Sequence, residues 1–410
     1  MKSIKTIKKY LIVTLALLCI SCKQESKAEH LKVGIYRAVL QVQDNKELPF
    51  NFEIADDNSV VIYNAEERIK DNQLTYKNDS IYITFPVYEG YIAGTVKNGV
   101  LQGHYIKESL DRVVPFNAEI GSKRFEINER KSKFNISGNW ETVFSKDIEG
   151  DEYIAKGIFT QNGNVVNGTF RTTTGDYRFL EGVLNGNQLS LSAFDGAHAF
   201  LFTANVTDST MEGQFYSGNH WKEPFVAKIN PDYELPDSDS LTYLKEGYDK
   251  FAFSFPDENG KIVSLQDERF KDKVVLVQIM GTWCPNCLDE SRFYSEYYKN
   301  NSNEDIEIVA LAFEYAKTKD RALTNIRRLR DNTEITYPIL LAQIGSSDKG
   351  KANEKLPMLN HVLSYPTTIY IDKKGNVRKI HTGFNGPATG DKYNMFISEF
   401  DSFVKMLLLE

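Results

Sequence analysis

The stretch "GTWCPNCLDE", residues 281–290, sets two cysteines two residues apart, directly after the apolar run "VVLVQIM", residues 274–280. That spacing lets both sulfurs sit in the first turn of a helix, where unpaired backbone N–H groups and the helix dipole favour a thiolate at Cys284. Pro285 suits the same turn, because its missing N–H costs nothing there. Leu288, Tyr294 and Tyr297 then supply a face that a helix can bury. Upstream, the β-branched-rich run is the pattern of a strand covered on both faces. Strand, Trp-Cys-x-x-Cys and helix together predict an α/β unit built around a dithiol.

The 410-residue chain holds four cysteines and a formal net charge of −7. Two of them, Cys19 and Cys22, fall in a leader with Lys2, Lys5, Lys8 and Lys9 ahead of the apolar "LIVTLALLCIS", a run too short to span a bilayer as a helix. This reads as an export signal. With Ser21 before Cys22 it resembles a bacterial lipoprotein signal, which implies that Cys22 is lipidated and begins the mature chain; the position usually held by Leu is here Cys19. An ordinary cleaved signal is the alternative. On lipoprotein processing, only Cys284 and Cys287 remain as thiols. A two-residue loop gives little disulfide stabilisation, and no second Cys/His pair follows at zinc spacing, so no metal is expected. His30, His104, His198, His220, His361 and His381 are scattered singly. A dithiol that cycles is what remains, with no cofactor other than a Cys284–Cys287 disulfide. The acidic balance gives no support for nucleic-acid binding.

Residues from about Phe251 to Glu410 resemble a thioredoxin-fold domain of the TlpA/ResA type, the membrane-tethered thiol-disulfide oxidoreductases of the bacterial envelope. The features that carry the resemblance are "FAFSFPDENGKIVSLQDERFKDKVVLVQIMGTWCPNC", with its Asp257-to-Lys261 turn, then "IEIVALAF" and "SYPTTIYIDKKGNV". The resemblance implies that Cys284 and Cys287 are catalytic, that Pro366 is a cis-proline opposite them, and that Tyr365 lines the substrate site. Trp283, Pro285 and Asn286 would complete the active-site wall. It also implies a glutamate acid/base near the end of the "EIVA" strand. Glu314 is the candidate, one residue early by count, so that a bulge must intervene for it to face the dithiol rather than end the strand in solvent. Protein disulfides or dithiols would be the substrates, a membrane electron donor or acceptor the partner, and cytochrome c maturation a family association. Reduction is expected over oxidation. A peroxiredoxin-like peroxidase is the alternative, although Val277 and Gly281 stand where its motif needs Pro and Thr or Ser; a non-enzymatic ligand-binding lipoprotein using the fold as a scaffold is another, and a metal or haem chaperone a third.

The region before it reads as β structure. Runs such as "SIYITF", "VVNGTF" and "QLSLSAF" alternate with the turn signals Asn98-Gly99, Asn162-Gly163, Asn167-Gly168 and Asn185-Gly186. It also repeats: "GIYRAV" from Gly34 matches "GNWETV" from Gly138, and Gly103 and Phe116 match Gly213 and Phe225 in order. Tyr36, Trp140, Tyr216 and Trp221 read as core or rim aromatics. The expected chain is multidomain: a signal (1–21), a tether (22–30), two antiparallel β modules, barrel or sandwich-like (31–125 and 126–230), an acidic linker (231–248) and a thioredoxin-like domain (249–410). It would sit in the bacterial cell envelope, lipid-anchored, facing the periplasm or the cell surface. "AKTKDRALTNIRRLRDN" reads as a solvated amphipathic helix, and "DKYNMFISEFDSFVKMLLLE" as a closing one.

Overall fold

The computed structural model describes residues 29–128, 131–301 and 304–410. The signal, Cys19, the lipidation candidate Cys22 and most of the tether lie outside them. Eight antiparallel strands form the first module: β1 (Gly34–Gln41), β2 (Glu47–Ile54), β3 (Ser59–Asn64), β4 (Glu67–Lys77), β5 (Ser80–Thr84), β6 (Tyr91–Lys97), β7 (Val100–Lys107) and β8 (Arg112–Ile120). Each pairs with the next, and β8 returns to β1, so the sheet closes into a barrel. Asn98 and Gly99 both have positive φ, as the tight hairpin turn between β6 and β7 requires.

The second module repeats the plan with β9 (Gly138–Phe144), β10 (Tyr153–Asn162), β11 (Val165–Thr172), β12 (Gly175–Asp176), β13 (Leu180–Asn185), β14 (Gln188–Phe194), β15 (Ala199–Val206), β16 (Thr210–Ser217) and β17 (Trp221–Ile229). Strand β10 pairs with both β9 and β11, and β17 returns to β9; this ring is closed too, with short β12 appended to β11. The two modules are therefore barrels, not sandwiches. Their repeat is exact at the level of contacts. Gly103 lies opposite Phe116 in one and Gly213 opposite Phe225 in the other. The Tyr36 hydroxyl and the Trp140 Nε1–H each donate, at 2.8 Å, to the carbonyl four residues upstream.

One expected turn is absent. Asn167-Gly168 lies inside β11, where a Cβ on Gly168 would stand 2.1 Å from the Ile158 carbonyl. The glycine is there because the curled barrel brings two backbones together, not because the chain reverses. An eight-stranded barrel is just wide enough to be filled by side chains. Tyr36, Phe50 and Phe52 fill the first; Trp140, Phe144, Phe159 and Phe170 fill the second. Tyr216 is buried and Trp221 half-exposed at the rim.

The barrels are fastened side by side. Phe50 stacks on Phe194 at 4.3 Å, and buried Arg124 donates to Tyr63 O (2.6 Å), Asn64 Oδ1 (3.0 Å) and Ser192 O (3.3 Å). A buried guanidinium without such acceptors would be costly, so these bonds fix the pairing. The acidic segment that follows is strapped down: Glu234 pairs with Lys156 and Arg171, and Lys245 N donates to Met358 O at 2.8 Å.

The last part has thioredoxin topology. After the hairpin β18 (Ser254–Pro256) and β19 (Ile262–Ser264) comes a five-stranded sheet in the order β22 (Ile339–Gln343), β21 (Ile306–Phe313), β20 (Val274–Met280), β23 (Thr367–Ile371), β24 (Val377–Thr382). β20, β21 and β22 are parallel; β23 runs against them, and β24, antiparallel to β23, runs in their direction again. All residues of β20 and β21 are buried, as their largely apolar runs predict, including Gln278 and Glu307, which are held by polar partners. Helices α1 (Pro285–Asn300), α2 (Lys319–Thr333), α3 (Lys349–Lys355) and α4 (Asp391–Leu409) surround the sheet. The helical spacing of apolar residues marks the inward faces: Leu323, Ile326 and Leu329 are buried on α2, and on α4 Phe396, Phe400 and Leu407 are buried while Tyr393 and Phe403 are half-buried.

Candidate active site

Central strand β20 aims the chain at the start of α1, and the dithiol lies at that junction. Cys284 is the N-cap of α1: its Sγ accepts from Cys287 N at 3.3 Å, and Pro285 begins the helix. Cys284 is 8 % exposed, whereas Cys287 is fully buried. Burial pushes the Cys287 thiol well up, and the neighbouring Cys284 and Glu290 act in the same direction. The two sulfurs are therefore unequal: one sits at a helix terminus near the surface, the other in the core.

The Tyr365–Pro366 bond is cis, and the Tyr365 carbonyl accepts from Cys284 Sγ at 3.3 Å. Trp283 closes the same side, its Nε1–H donating to Phe313 O at 2.9 Å and its ring meeting Tyr365 edge-on at 5.5 Å. Cys284, Cys287, Trp283, Pro285, Asn286, Tyr365 and Pro366 are thus brought together around the helix start.

Glu314 is buried just beyond β21, and the register of β21 against β22 shifts between Ala312 and Phe313, where the residue count required a bulge. Its carboxylate accepts from Thr282 N and Thr282 Oγ1, both at 2.8 Å, which fixes the backbone two residues ahead of Cys284. Burial pushes its pKa up to about 7. A second carboxyl is equally placed in the core. Glu290, one helical turn after Cys287, accepts from Gln278 Nε2 (2.8 Å), Thr368 Oγ1 (3.0 Å) and the Tyr294 hydroxyl (3.2 Å), and burial pushes it up to about 7 as well. The sequence reading missed Glu290; the signal was its Cys-x-x-Glu spacing, which puts Cys287 and the carboxyl on one face of α1.

The larger surprise comes from the second barrel. The connection between β11 and β13 reaches across to the dithiol. Asn286 Nδ2 donates to Asp176 O at 3.4 Å, Gly386 N to Asp176 Oδ2 at 2.6 Å, and Ser364 Oγ to Thr174 O at 2.9 Å. Gly175 has φ +149°, and a Cβ there would meet Asn286 Nδ2 at 1.9 Å, so only glycine fits. Arg178 on the same connection pairs with Asp289 of α1 and with Glu67 of the first barrel at 2.6 Å. No local motif marks these residues, since what they do depends on a loop meeting a helix more than a hundred positions away. Among the described residues no cluster of His, Cys, Asp or Glu is arranged to hold a metal ion.

A dithiol at the N-terminus of a helix, on the central strand of a thioredoxin sheet and beside a cis-proline, defines a thiol-disulfide oxidoreductase centre. Residues 245–395 match the Redoxin family. The chain is 31% identical over 140 residues to the thioredoxin-like protein YneN of Bacillus subtilis, an alignment covering 34% of this chain and 73% of that one. It is 27% identical over 140 residues to the thiol-disulfide oxidoreductase ResA of the same organism, covering 34% and 69%. Among solved structures, a thiol:disulfide interchange protein of Chlorobium tepidum is 22% identical, covers 40% of this chain and 98% of its own, and has a TM-score of 0.30. The chain belongs to the TlpA/ResA-like family of thioredoxin-fold thiol-disulfide oxidoreductases, and the Redoxin match, residues 245–395, begins after the two barrels.

Proposed function

We propose that the protein is an exported, lipid-anchored thiol-disulfide reductase of the cell envelope that uses Cys284 as nucleophile and Cys287 as resolving thiol. The carrying observation is the inequality of the two sulfurs: Cys284 caps α1 near the surface, and Cys287 is fully buried behind it. The Cys284 thiolate attacks a client disulfide, forming a mixed disulfide and releasing one client thiolate. Cys287 then gives up its proton and attacks Cys284 Sγ; the second client thiol leaves and the Cys284–Cys287 disulfide remains. Two electrons pass to the client, and a membrane donor restores the dithiol. The pair is its own redox group.

The resolving step needs a proton acceptor, because burial holds the Cys287 thiol in its neutral form. Glu290, on the same face of α1 and balanced at about 7, is assigned that proton. Glu314 acts through Thr282, as a positioning residue that holds the turn before Cys284; a share in proton exchange is its alternative role. The reducing direction is supported by the same burial. A dithiol whose buried member, Cys287, is poorly stabilised as a thiolate favours its disulfide and so reduces others, in contrast to strong oxidants, whose reduced form is stabilised. Export and anchoring rest on the basic, apolar leader and Cys22.

Reduction of a protein disulfide by the pre-reduced protein tests this reading. Cys284→Ser abolishes turnover, and Cys287→Ser accumulates mixed disulfides through Cys284. Undiminished exchange in both variants would sink the assignment.

A further inference from the structure

A cleft of about 420 Å³ opens between the second barrel, the β7–β8 hairpin of the first and Trp283 beside the dithiol. Tyr177 and Phe215 of the second barrel give it an apolar wall. Two cations enter it from the hairpin. Lys107 is buried, and its Nζ donates to Ala197 O at 3.0 Å; Arg112 is half-buried. Neither has a carboxylate within ion-pair distance among the described residues.

The acids nearby are already engaged. Glu223 accepts from Ser145 Oγ and the Tyr153 hydroxyl, each at 2.7 Å; Asp195 faces Arg178 and His198; Glu89 accepts from Ser109 N and Oγ. Glu223 also lines the cleft, bonded only by neutral hydroxyls, so Lys107 and Arg112 against this one carboxylate leave the lining with an excess of positive charge. His220 on its wall is pushed down to about 4, by burial first and then by Arg112, Lys107 and His198. Burial first, and then Arg112, push Lys107 down to about 8, with Asp195 and Glu89 offsetting only part of it; an incoming carboxylate would relieve that desolvation cost.

The position of the cleft suggests what brings the carboxylate. Trp283 lines it, and the ring of Trp283 packs on Tyr365, whose carbonyl takes the Cys284 thiol. Residues 173–178 cover the side of the dithiol toward Ser364 and Gly386. A client must bring the residues flanking its cysteine along with it, and the Trp283 side receives them. We propose that the cleft binds an acidic segment of the client protein, its carboxylate on Lys107 and Arg112 and its apolar flank on Tyr177 and Phe215. This rests on the oxidoreductase reading and supplies its substrate class.

The test separates the two. Binding of blocked, cysteine-free decapeptides rich in Glu and Tyr, and of their Gln and Lys counterparts, is measured by calorimetry on the full mature chain carrying Cys284→Ser and Cys287→Ser. Disulfide exchange is followed separately on the intact protein, so loss of exchange with binding retained indicts the redox reading alone. The Glu peptide should bind at least about tenfold more tightly than the Gln peptide. Arg112→Glu should reverse the order in favour of the Lys peptide, and Lys107→Met should reduce the Glu preference. Equal binding of all three peptides, or a Glu preference that survives both substitutions, overturns the proposal. So does acetate or citrate binding as tightly as the Glu peptide, which would make the cleft a small-anion site.

Discussion

Between β3 and β4 the first barrel makes a turn of residues 65–66; at the matching place, between β11 and β13, the second barrel has residues 173–179 and an added strand, β12. The short turn is immediately followed by Glu67, which reaches Arg178 on the long connection, and the long connection reaches Asn286, Ser364 and Gly386 around the dithiol. Both barrels keep the same closing pairs and the same aromatic-to-carbonyl bond four residues back. The two barrels thus share the parts that fill and close them and differ in their connections, and the connection that grew most, from residues 65–66 to residues 173–179, is the one that touches Asn286 beside the dithiol. The first barrel buttresses the second, and the second supplies part of the active-site wall.

The sharpest way to break this comparison is to exchange the connections. Replacing residues 173–179 by the Ala65-Glu66 turn removes every contact the long connection makes with the thioredoxin domain. Alkylation of Cys284 in the reduced protein should then accelerate by at least about tenfold, because local protection is lost; an unchanged rate would mean that the connection does not shield the dithiol. Arg178→Met comes next in size. It takes the guanidinium from buried Glu67 and Asp289 and leaves Asp195 to His198 alone, a loss of about 3–5 kcal/mol visible as a lower urea midpoint.

Glu290→Gln leaves the barrels alone and acts inside the thioredoxin domain. Exchange by the native protein should rise through about pH 7 as Glu290 becomes able to take the Cys287 proton, and the variant should lose that inflection together with about 100-fold in rate. Stability moves in the opposite sense. Glu290 holds its proton more tightly folded (about 7) than unfolded (4.5), so its contribution is full below about pH 4.5 and is lost as the pH rises through about 7. Urea unfolding of Glu290→Gln at pH 5 and pH 8 should show a smaller difference than the native protein does. The smallest effect is expected at the exposed Lys317–Asp111 pair, which joins the first barrel to the thioredoxin domain at 3.2 Å: Lys317→Ala should alter stability by less than about 0.5 kcal/mol.

Legibility in the sequence followed the range of the interaction. The dithiol, the buried strand before it and the helix after it are written in neighbouring residues, because capping, the N1 proline and apolar runs are local rules. The barrels were legible as a repeat of strands and turns, yet whether they closed could not be read, since closure depends on β8 finding β1 and β17 finding β9. Asn167-Gly168 misled for the same reason: a glycine demanded by close strands looks like one demanded by a turn. Glu314 needed a bulge that only the pairing with β22 reveals. Glu290 was within reach, at one helical turn from Cys287. Asp176 and Arg178 were not, because nothing near them in the chain records the helix they meet.

The most direct test of the account is the reduction potential of the Cys284–Cys287 pair in the protein with both barrels present, equilibrated against glutathione or dithiothreitol buffers. A buried, poorly stabilised Cys287 thiolate predicts a value near the reducing end of the thioredoxin-fold range, about −270 mV. A value near −120 mV, roughly that of the strongest oxidants of this fold, would mean a stabilised dithiol and would contradict the assignment as a reductase.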